Sequence, residues 1–385
     1  MTEVVIAGIG QAPVAEHWGI SLRELSLLSV ADAVKDAAGL RPQAVFIANM
    51  LAPVMSHQAH LGALIADFIG LKGVEASTIE AAGASGGAAL RMGFMAVASG
   101  AVDVALVIGI EKSTDLLGSS VEAAYAETTD SDYEAIQGLT PTAQAALLMN
   151  RYMYEYQVPH EAFAGFPITA HANAVTNPNA MFRSKVELET YKQAGMVSAP
   201  INLFDAAPNG DGSASVVLTR PEILPASFSH PLVRIVGSSL VTAPLALHDR
   251  PEPLVFDAAR LSVERACRQA GILPEDVDFF ELYDAYSIFA ALSLEAAGFA
   301  PKGQGWKLAQ DGCIALDASL PISTFGGLKA RGNPGGATGV YQAVEACLQL
   351  RGEAGANQVP EARRGLIQCL SGPASSAATH VLEIV

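Results

Sequence analysis

The chain has 385 residues, half of them apolar, and sets 39 Asp and Glu against 23 Lys and Arg for a formal charge of −16. That length supports a large core, as two domains or one large α/β unit, while the acidic balance repels nucleic acid and anionic membrane. Cys267, Cys313, Cys347 and Cys369 lack any CxxC spacing, which argues against a disulfide framework or a zinc site, and no apolar run is long enough to span a bilayer, so a soluble cytoplasmic protein is expected.

In chain order, "TEVVIAGIG" reads as a buried strand. "SLRELSLLSVADAVKDAAG" reads as a helix opened by a capping box from Ser21 to Glu24. "AVFIANM" predicts a strand, "HLGALIADFIG" a helix, and "VEASTIEAA" a strand running into the glycine turn "GASGG". "GGAALRMGFMAVASG" is then a helix of small residues and "VDVALVIGIEK" a buried strand. This alternation predicts a mainly parallel sheet covered on both faces.

From Ser113 to about Pro200 the pattern loosens into loops and helices, which reads as a cap over a site. Strands resume with "SASVVLT" and "PLVRIVGSSLV". The second half then echoes the first. "LSVERACRQAGILPEDVDFFEL" matches the plan of "LSVADAVKDAAGLRPQAVFIAN", and "GNPGGATGVYQAVEACLQLRGEAG" followed by "RGLIQCLSG" repeats glycine turn, helix and strand. Halves of 1–220 and 221–385 follow, with two glycine turns facing each other and their helix N-termini converging on one pocket. Exposed N–H groups there suit a developing oxyanion or enolate.

"GASGG" also satisfies the G-x-S-x-G pattern of a hydrolase elbow, with Ser85, Asp284 and His380 in triad order. The pattern is weak in so Gly-rich a chain, no HGGG-like segment precedes it, and His380 lies on a terminal strand. "GIGQAP" lacks the third glycine of a dinucleotide fingerprint.

"AGIGQAP", "EAAGASGGAAL", "ALVIGIEKSTD", "DGSASVVLT", "FFELYDAYSIFAALSLEAAGF", "GGLKARGNPGGATGVYQAVEA" and "GLIQCLSGPASSAATHVLE" span the chain. Together they resemble the thiolases, specifically the branch of the thiolase domain of sterol carrier protein X. The resemblance implies a thiolase fold, a duplicated five-layer α/β/α/β/α arrangement with a loop and helical capping insertion, and at least a dimer.

The departures from the family carry the chemistry. The family's first turn reads CASGG, whose cysteine takes up the acyl group, and this chain has Gly83 there. The histidine of HPxGATG is replaced by Asn333, and the HDCF box becomes "YDAY", with Tyr283 and Ala285 in place of His and Cys. Cys369 falls where many thiolases carry an acid–base cysteine, and is read here as that group in vestigial form or as a buried thiol. Glycine cannot carry an acyl group, so ordinary acyl transfer through an acyl-enzyme is not expected.

The resemblance leaves a shell that stabilises charge: backbone N–H groups at Gly83 and Ser371 as an oxyanion hole, with Tyr283 and Asn333 as donors. Such a shell suits retro-aldol cleavage of a β-hydroxyacyl-CoA, and thiolase-like steroid aldolases that lack the cysteine match at Gly83 and Tyr283. Tyr283 is the first acid–base candidate, with Asp284 and Tyr286 supporting or competing. A phenol near its usual pKa of about 10 needs a depressed value or a relay to a carboxylate to act as base. His171, Tyr341, Gly335 and Gly336 are the candidate substrate contacts. No metal or covalently held cofactor is expected, and coenzyme A enters as part of the substrate. The resemblance implies a homodimer and a small OB-fold and zinc-ribbon partner. Two other readings remain: a noncatalytic acyl-CoA-binding scaffold subunit, and an acyltransferase working without a covalent intermediate.

Overall fold

The structure, a computed structural model, describes residues 2–385. The strands are β1 (Val5–Gln11), β2 (Ala44–Ala48), β3 (Glu75–Ile79), β4 (Val104–Glu111), β5 (Met196–Ser198) and β6 (Ile201–Asn202), then β7 (Gly212–Thr219), β8 (Val233–Thr242), β9 (Phe279–Glu281), β10 (Arg364–Leu370) and β11 (Ser376–Ile384). The helices of the first half are α1 (Leu22–Asp36), α2 (Ala52–Met55), α3 (Leu61–Phe68) and α4 (Ser85–Ala98). The cap holds α5 (Gly118–Ala126), α6 (Pro141–Tyr156), α7 (Gly165–Ala174) and α8 (Leu188–Gln193). The second half has α9 (Asp257–Ala270), α10 (Ser287–Ala296), α11 (Gly305–Gln310) and α12 (Thr338–Arg351).

Local sequence accounts for the helix ends. The capping box at α1 is present, with the Ser21 N–H donating to the Glu24 carboxylate at 2.7 Å. Thr140 caps α6 ahead of Pro141, and α9 and α12 stop at Gly271 and Gly352 in left-handed conformations.

Nine strands form one sheet in the order β3-β2-β4-β7-β1-β8-β11-β10-β9. The order reads as two half-sheets meeting at an antiparallel seam, where Val5 faces Arg234 and Ile6 faces Val233. The expected mainly parallel sheet is corrected here. Only β2–β3, β2–β4 and β9–β10 run parallel, because β7 and β11 return antiparallel beside β4 and β10. The strand answering β3 in the second half shrinks to a single bridge between Phe280 and Ile322.

Helices α4 and α12 pack on each other and on strands of both half-sheets, while α1 and α9 cover the outer faces. The chain thus has the thiolase fold, with helices on both sides of a large mixed sheet. Glycines permit the central contact. A Cβ on Gly86 would stand 2.5 Å from the Gly339 nitrogen, and one on Gly339 would stand 2.3 Å from the Gly87 nitrogen. Each helix is preceded by a short 3₁₀ turn, Ala82–Ala84 and Gly335–Ala337, and the two turns meet across the interface.

Candidate active site

The first turn is held by its own side chains. Ala82 adopts φ +48°, a costly conformation for a residue with a Cβ, and its N–H donates to the Glu80 carboxylate at 2.6 Å. Ser85 Oγ accepts from the Ala81 N–H at 2.9 Å and donates to the Ala82 carbonyl at 2.6 Å. Ser85 therefore staples the turn. Asp284 bonds elsewhere, and His380 Nε2 sits 3.0 Å from the Gly87 carbonyl, so the three residues form no triad.

Gly83 stands at the apex, where its N–H has no protein partner among the described residues. A Cβ there would lie 2.5 Å from the Leu370 carbonyl oxygen, 2.6 Å from the Tyr283 hydroxyl and 3.1 Å from Tyr283 Cζ. The phenol of Tyr283 thus occupies the room a side chain at residue 83 would need.

Tyr283 and Tyr286 come from the loop between β9 and α10, which the parallel pairing of β9 with β10 brings beside Leu370. Both line a cavity of about 430 Å³ together with Gly83, Asn333, Gly372 and the loop Ala206–Asn209. The cap contributes Glu122, Tyr125, Thr128, Thr142 and His171, and apolar walls come from Met50, Phe182, Val197, Leu203, Phe204 and Phe289. Lys329 completes the polar lining. Among the described residues no cysteine or serine lines it.

The electrostatics are those of a dry pocket. Burial raises the Tyr283 phenol above its ordinary value, with Tyr286, Cys369 and Asp284 adding to the effect. Burial does the same to Tyr286, whose hydroxyl lies 2.8 Å from Thr142 Oγ1, and to Tyr125, which has no hydrogen-bond partner. All three phenols stay protonated near neutrality. The depressed value that Tyr283 would need to act alone as a base is therefore absent, and its phenol carries a proton that it can donate. Burial raises Glu122, the one carboxylate in the wall among the described residues, against the lowering effect of the Thr140 and Thr142 hydroxyls.

His171 is buried and lines the cavity between the rings of Phe182 and Phe204. Its Nδ1 faces the Ser184 carbonyl at 3.1 Å, so that nitrogen carries the proton, and burial lowers its pKa. Asn333 is fixed at three points. Its N–H donates to the Pro208 carbonyl at 2.9 Å, its carbonyl accepts from Gly210 at 3.1 Å, and its Oδ1 accepts from the Gly335 N–H at 3.1 Å. That last bond sets the amide orientation and leaves Nδ2 without a protein partner as a donor for the cavity.

Several sequence-derived contacts are placed elsewhere. The Ser371 N–H is spent on the Ser376 carbonyl at 2.9 Å, whereas Gly372, the next residue, lines the cavity and its N–H has no protein partner among the described residues. Tyr341 does not line the cavity. Its hydroxyl donates to the Ala12 carbonyl at 2.7 Å and its ring lies under the Arg331 guanidinium, which pairs with Glu345 at 2.8 Å.

Gly335 and Gly336 are also outside the cavity; a Cβ would meet Glu111 at the first and the Met50 nitrogen at the second. Asp284 lies behind the wall and accepts from the Leu328 N–H at 2.7 Å and from Ser323 Oγ at 3.2 Å. It thereby anchors the π-helical turn Gly327–Arg331 that carries Lys329. Cys369 is buried 3.6 Å from the Ala84 carbonyl, with its thiol pushed up to about 12 by burial. Glu122, Tyr125, Thr142 and Lys329 were not singled out from the sequence. Lys329 lies within "GGLKARG", where a lysine reads as solvent-facing.

Comparison with known proteins agrees with this architecture. Residues 4–222 match the family model "Thiolase, N-terminal domain", and residues 241–384 match "Thiolase C-terminal domain-like". An "Acetyl-CoA acetyltransferase" of Methanothermobacter thermautotrophicus is 38% identical over 385 residues, the whole of both chains. "Sterol carrier protein 2" of Bos taurus is 28% identical over 309 residues, 77% of this chain and 57% of that protein. A solved "Ltp2-ChsH2(DUF35) aldolase" superposes with a TM-score of 0.83 at 24% identity, covering 99% of this chain and 98% of that one, a likeness of fold. The duplicated half-sheets, the paired glycine turns and these matches together make the chain a member of the thiolase family.

Proposed function

We propose that the chain is a carbon–carbon lyase that cleaves a β-hydroxyacyl-CoA by a retro-aldol step, with coenzyme A entering as part of the substrate. The observation that carries this reading is the Tyr283 hydroxyl filling the space above Gly83, in a cavity with no thiol in its wall. The Glu122 carboxylate takes the proton of the β-hydroxyl. The Cα–Cβ bond breaks, its electron pair passes into the thioester as an enolate, and a ketone or aldehyde departs.

The enolate oxygen is held by the N–H groups of Gly83 and Gly372 and by Asn333 Nδ2, donors that need no reorganisation. Tyr283 gives its proton to Cα. Glu122 returns a proton to Tyr283 through Thr142 and Tyr286, whose hydroxyls are 2.8 Å apart. No bond to the protein forms at any step. The aldolase of the fold comparison is named together with a DUF35 component, which supports assays that include the small partner, with an OB-fold and zinc ribbon, that the family resemblance implies.

A second reading is favoured by the 38% identical acetyl-CoA acetyltransferase: acyl transfer between coenzyme A and an acceptor. One experiment separates the two. Purified protein, alone and with its partner, is incubated with β-hydroxyacyl-CoA esters. Carbonyl release that disappears in Tyr283→Phe supports cleavage. An acyl adduct on the chain by mass spectrometry, or label exchange from acyl-CoA into free coenzyme A, supports transfer. No turnover of either kind favours the noncatalytic scaffold subunit.

A further inference from the structure

Lys329 is 2% exposed, yet it lines the cavity. The π-helical turn Gly327–Arg331 presents it, and the Asp284 carboxylate holds that turn through the Leu328 N–H. Its Nζ donates to the Asp205 carbonyl at 2.7 Å and to the Phe204 carbonyl at 3.3 Å. Its third N–H has no protein partner, and among the described residues no carboxylate approaches within ion-pair distance of it.

The two nearest acidic groups are committed elsewhere. Asp205 accepts from the Tyr191 hydroxyl at 3.0 Å and the Asn202 N–H at 3.1 Å, and lies 2.8 Å from His160 Nε2. Asp284 accepts from Leu328 and Ser323. Neighbouring His171 is neutral, so among the described residues Lys329 is the one formal positive charge in the wall.

Enclosing an ammonium with no carboxylate in contact is costly, and the more distant charges of Asp205 and Asp284 offset that cost only in part, so a ligand carboxylate at the third N–H would be stabilised. Burial pushes the Lys329 ammonium down to about 8, which still leaves it mainly charged at neutral pH. The phosphates of coenzyme A do not suit it. They are strongly hydrated and bulky, whereas Lys329 is closed in by Phe204 and the chain around Asp205. A carboxylate on the acyl chain is small, singly charged, and delivered by the part of the ligand that enters the cavity.

We propose that Lys329 binds a free carboxylate on the acyl group, so that the chain acts on acyl-CoA esters of dicarboxylic acids. The inference rests on the acyl-CoA reading of the site but not on which reaction follows. Lys329 is a specificity-determining residue in this account, and the bond-breaking machinery of Tyr283, Asn333 and Glu122 is separate from it.

The test is binding, and it needs no turnover. Dissociation constants are measured by calorimetry for succinyl-, glutaryl- and adipoyl-CoA against butyryl-, pentanoyl- and hexanoyl-CoA. The unmodified chain is compared with Lys329→Met and Lys329→Arg, with circular dichroism as a fold check. At one chain length or more the diacid ester should bind at least about tenfold more tightly than its monoacid match, the size of one desolvated charged hydrogen bond. Lys329→Met should erase the difference while keeping monoacid affinity, and Lys329→Arg should keep part of it.

Equal affinities at every length in the unmodified chain overturn the proposal, whether or not the variants fold. Equal weakening of both series in Lys329→Met also overturns it, because the lysine would then serve the shared thioester. Failure to bind any acyl-CoA overturns the acyl-CoA reading as well, and is distinguishable from binding without discrimination.

Discussion

The Tyr283 hydroxyl stands 2.6 Å from where a Cβ on Gly83 would be, and the Leu370 carbonyl oxygen stands 2.5 Å from the same point. The two residues are fitted to each other: the phenol is accommodated because the turn is bare. Gly83→Ala should therefore destabilise the fold by about 1–3 kcal/mol, as other overpacked substitutions do, because a strand carbonyl cannot retreat freely. Gly83→Cys alone should yield no thiolysis of acetoacetyl-CoA. Urea unfolding and a thiolysis assay check the two outcomes.

Tyr283→Phe should leave the unfolding midpoint nearly unchanged, since among the described residues the hydroxyl has no hydrogen-bond partner to lose, its neighbours Tyr286 and Asp284 bonding to Thr142 and Leu328 instead. Turnover should fall by about 10²–10⁴, the usual worth of a positioned proton donor. Because burial raises this phenol, the pH–rate profile of the unmodified chain should show no loss that tracks phenolate formation across the neutral range.

In the proposed cleavage Glu122 carries the opposite demand, since it must be ionised to accept a proton. Burial raises its pKa, so the acid limb of the kcat profile should lie above the ordinary carboxylate range and activity should fall as pH drops through it. Glu122→Gln should lower kcat by about 10²-fold or more and leave KM within a small factor. A profile unchanged in the variant would remove Glu122 from the proton path.

Asn333 offers a test of donor against acceptor. Asn333→Asp preserves the oxygen that receives the Gly335 N–H at 3.1 Å but replaces the free amide donor with a negative oxygen. It should fold and lose turnover. Asn333→Ala should cost about 10²–10³ in kcat, in line with removal of one oxyanion donor.

His380 predicts an acid limb in stability. Its Nε2 faces the Gly87 carbonyl at 3.0 Å, its Nδ1 is enclosed without a partner, and burial lowers its pKa to about 4. The folded value lies below that of the unfolded chain, so the unfolded state binds the extra proton first. Full stability holds above the unfolded value, and up to about 3 kcal/mol is lost as pH falls from near 6.5 toward 4. His380→Gln should flatten that loss, measured as urea midpoints at neutral and acid pH.

The helices and strands were legible because each is written in local periodicity and in its caps, as at Ser21–Glu24 and Thr140–Pro141. The paired turns were legible from the internal echo, and Tyr283 from its place in "YDAY". What failed depended on partners distant in sequence. Strand direction was misjudged because a strand that follows a helix reads as parallel, whereas β7 follows the cap and β11 returns directly from β10.

Ser371 and Gly372 are indistinguishable as donors until the pairing with Ser376 consumes one of them. Tyr341 sits in the first turn of α12, near the site in sequence, but the rotation of that helix aims it at Ala12 and Arg331. Lys329 was hidden by composition, since nothing local tells that Asp284 will fold its turn inward.

The seam at Val5–Arg234, with α4 and α12 in contact through Gly86 and Gly339, joins two related folding units by a covalent chain. Two identical units brought together as separate molecules would be compelled to present equal turns. Tethering lifts that compulsion. One turn is free to go bare at Gly83 while the other is entered through the Asn333 amide, so the mouth of the cavity has a distinct floor and side. A site that must tell one end of a ligand from the other needs such handedness, and here the polypeptide link supplies it.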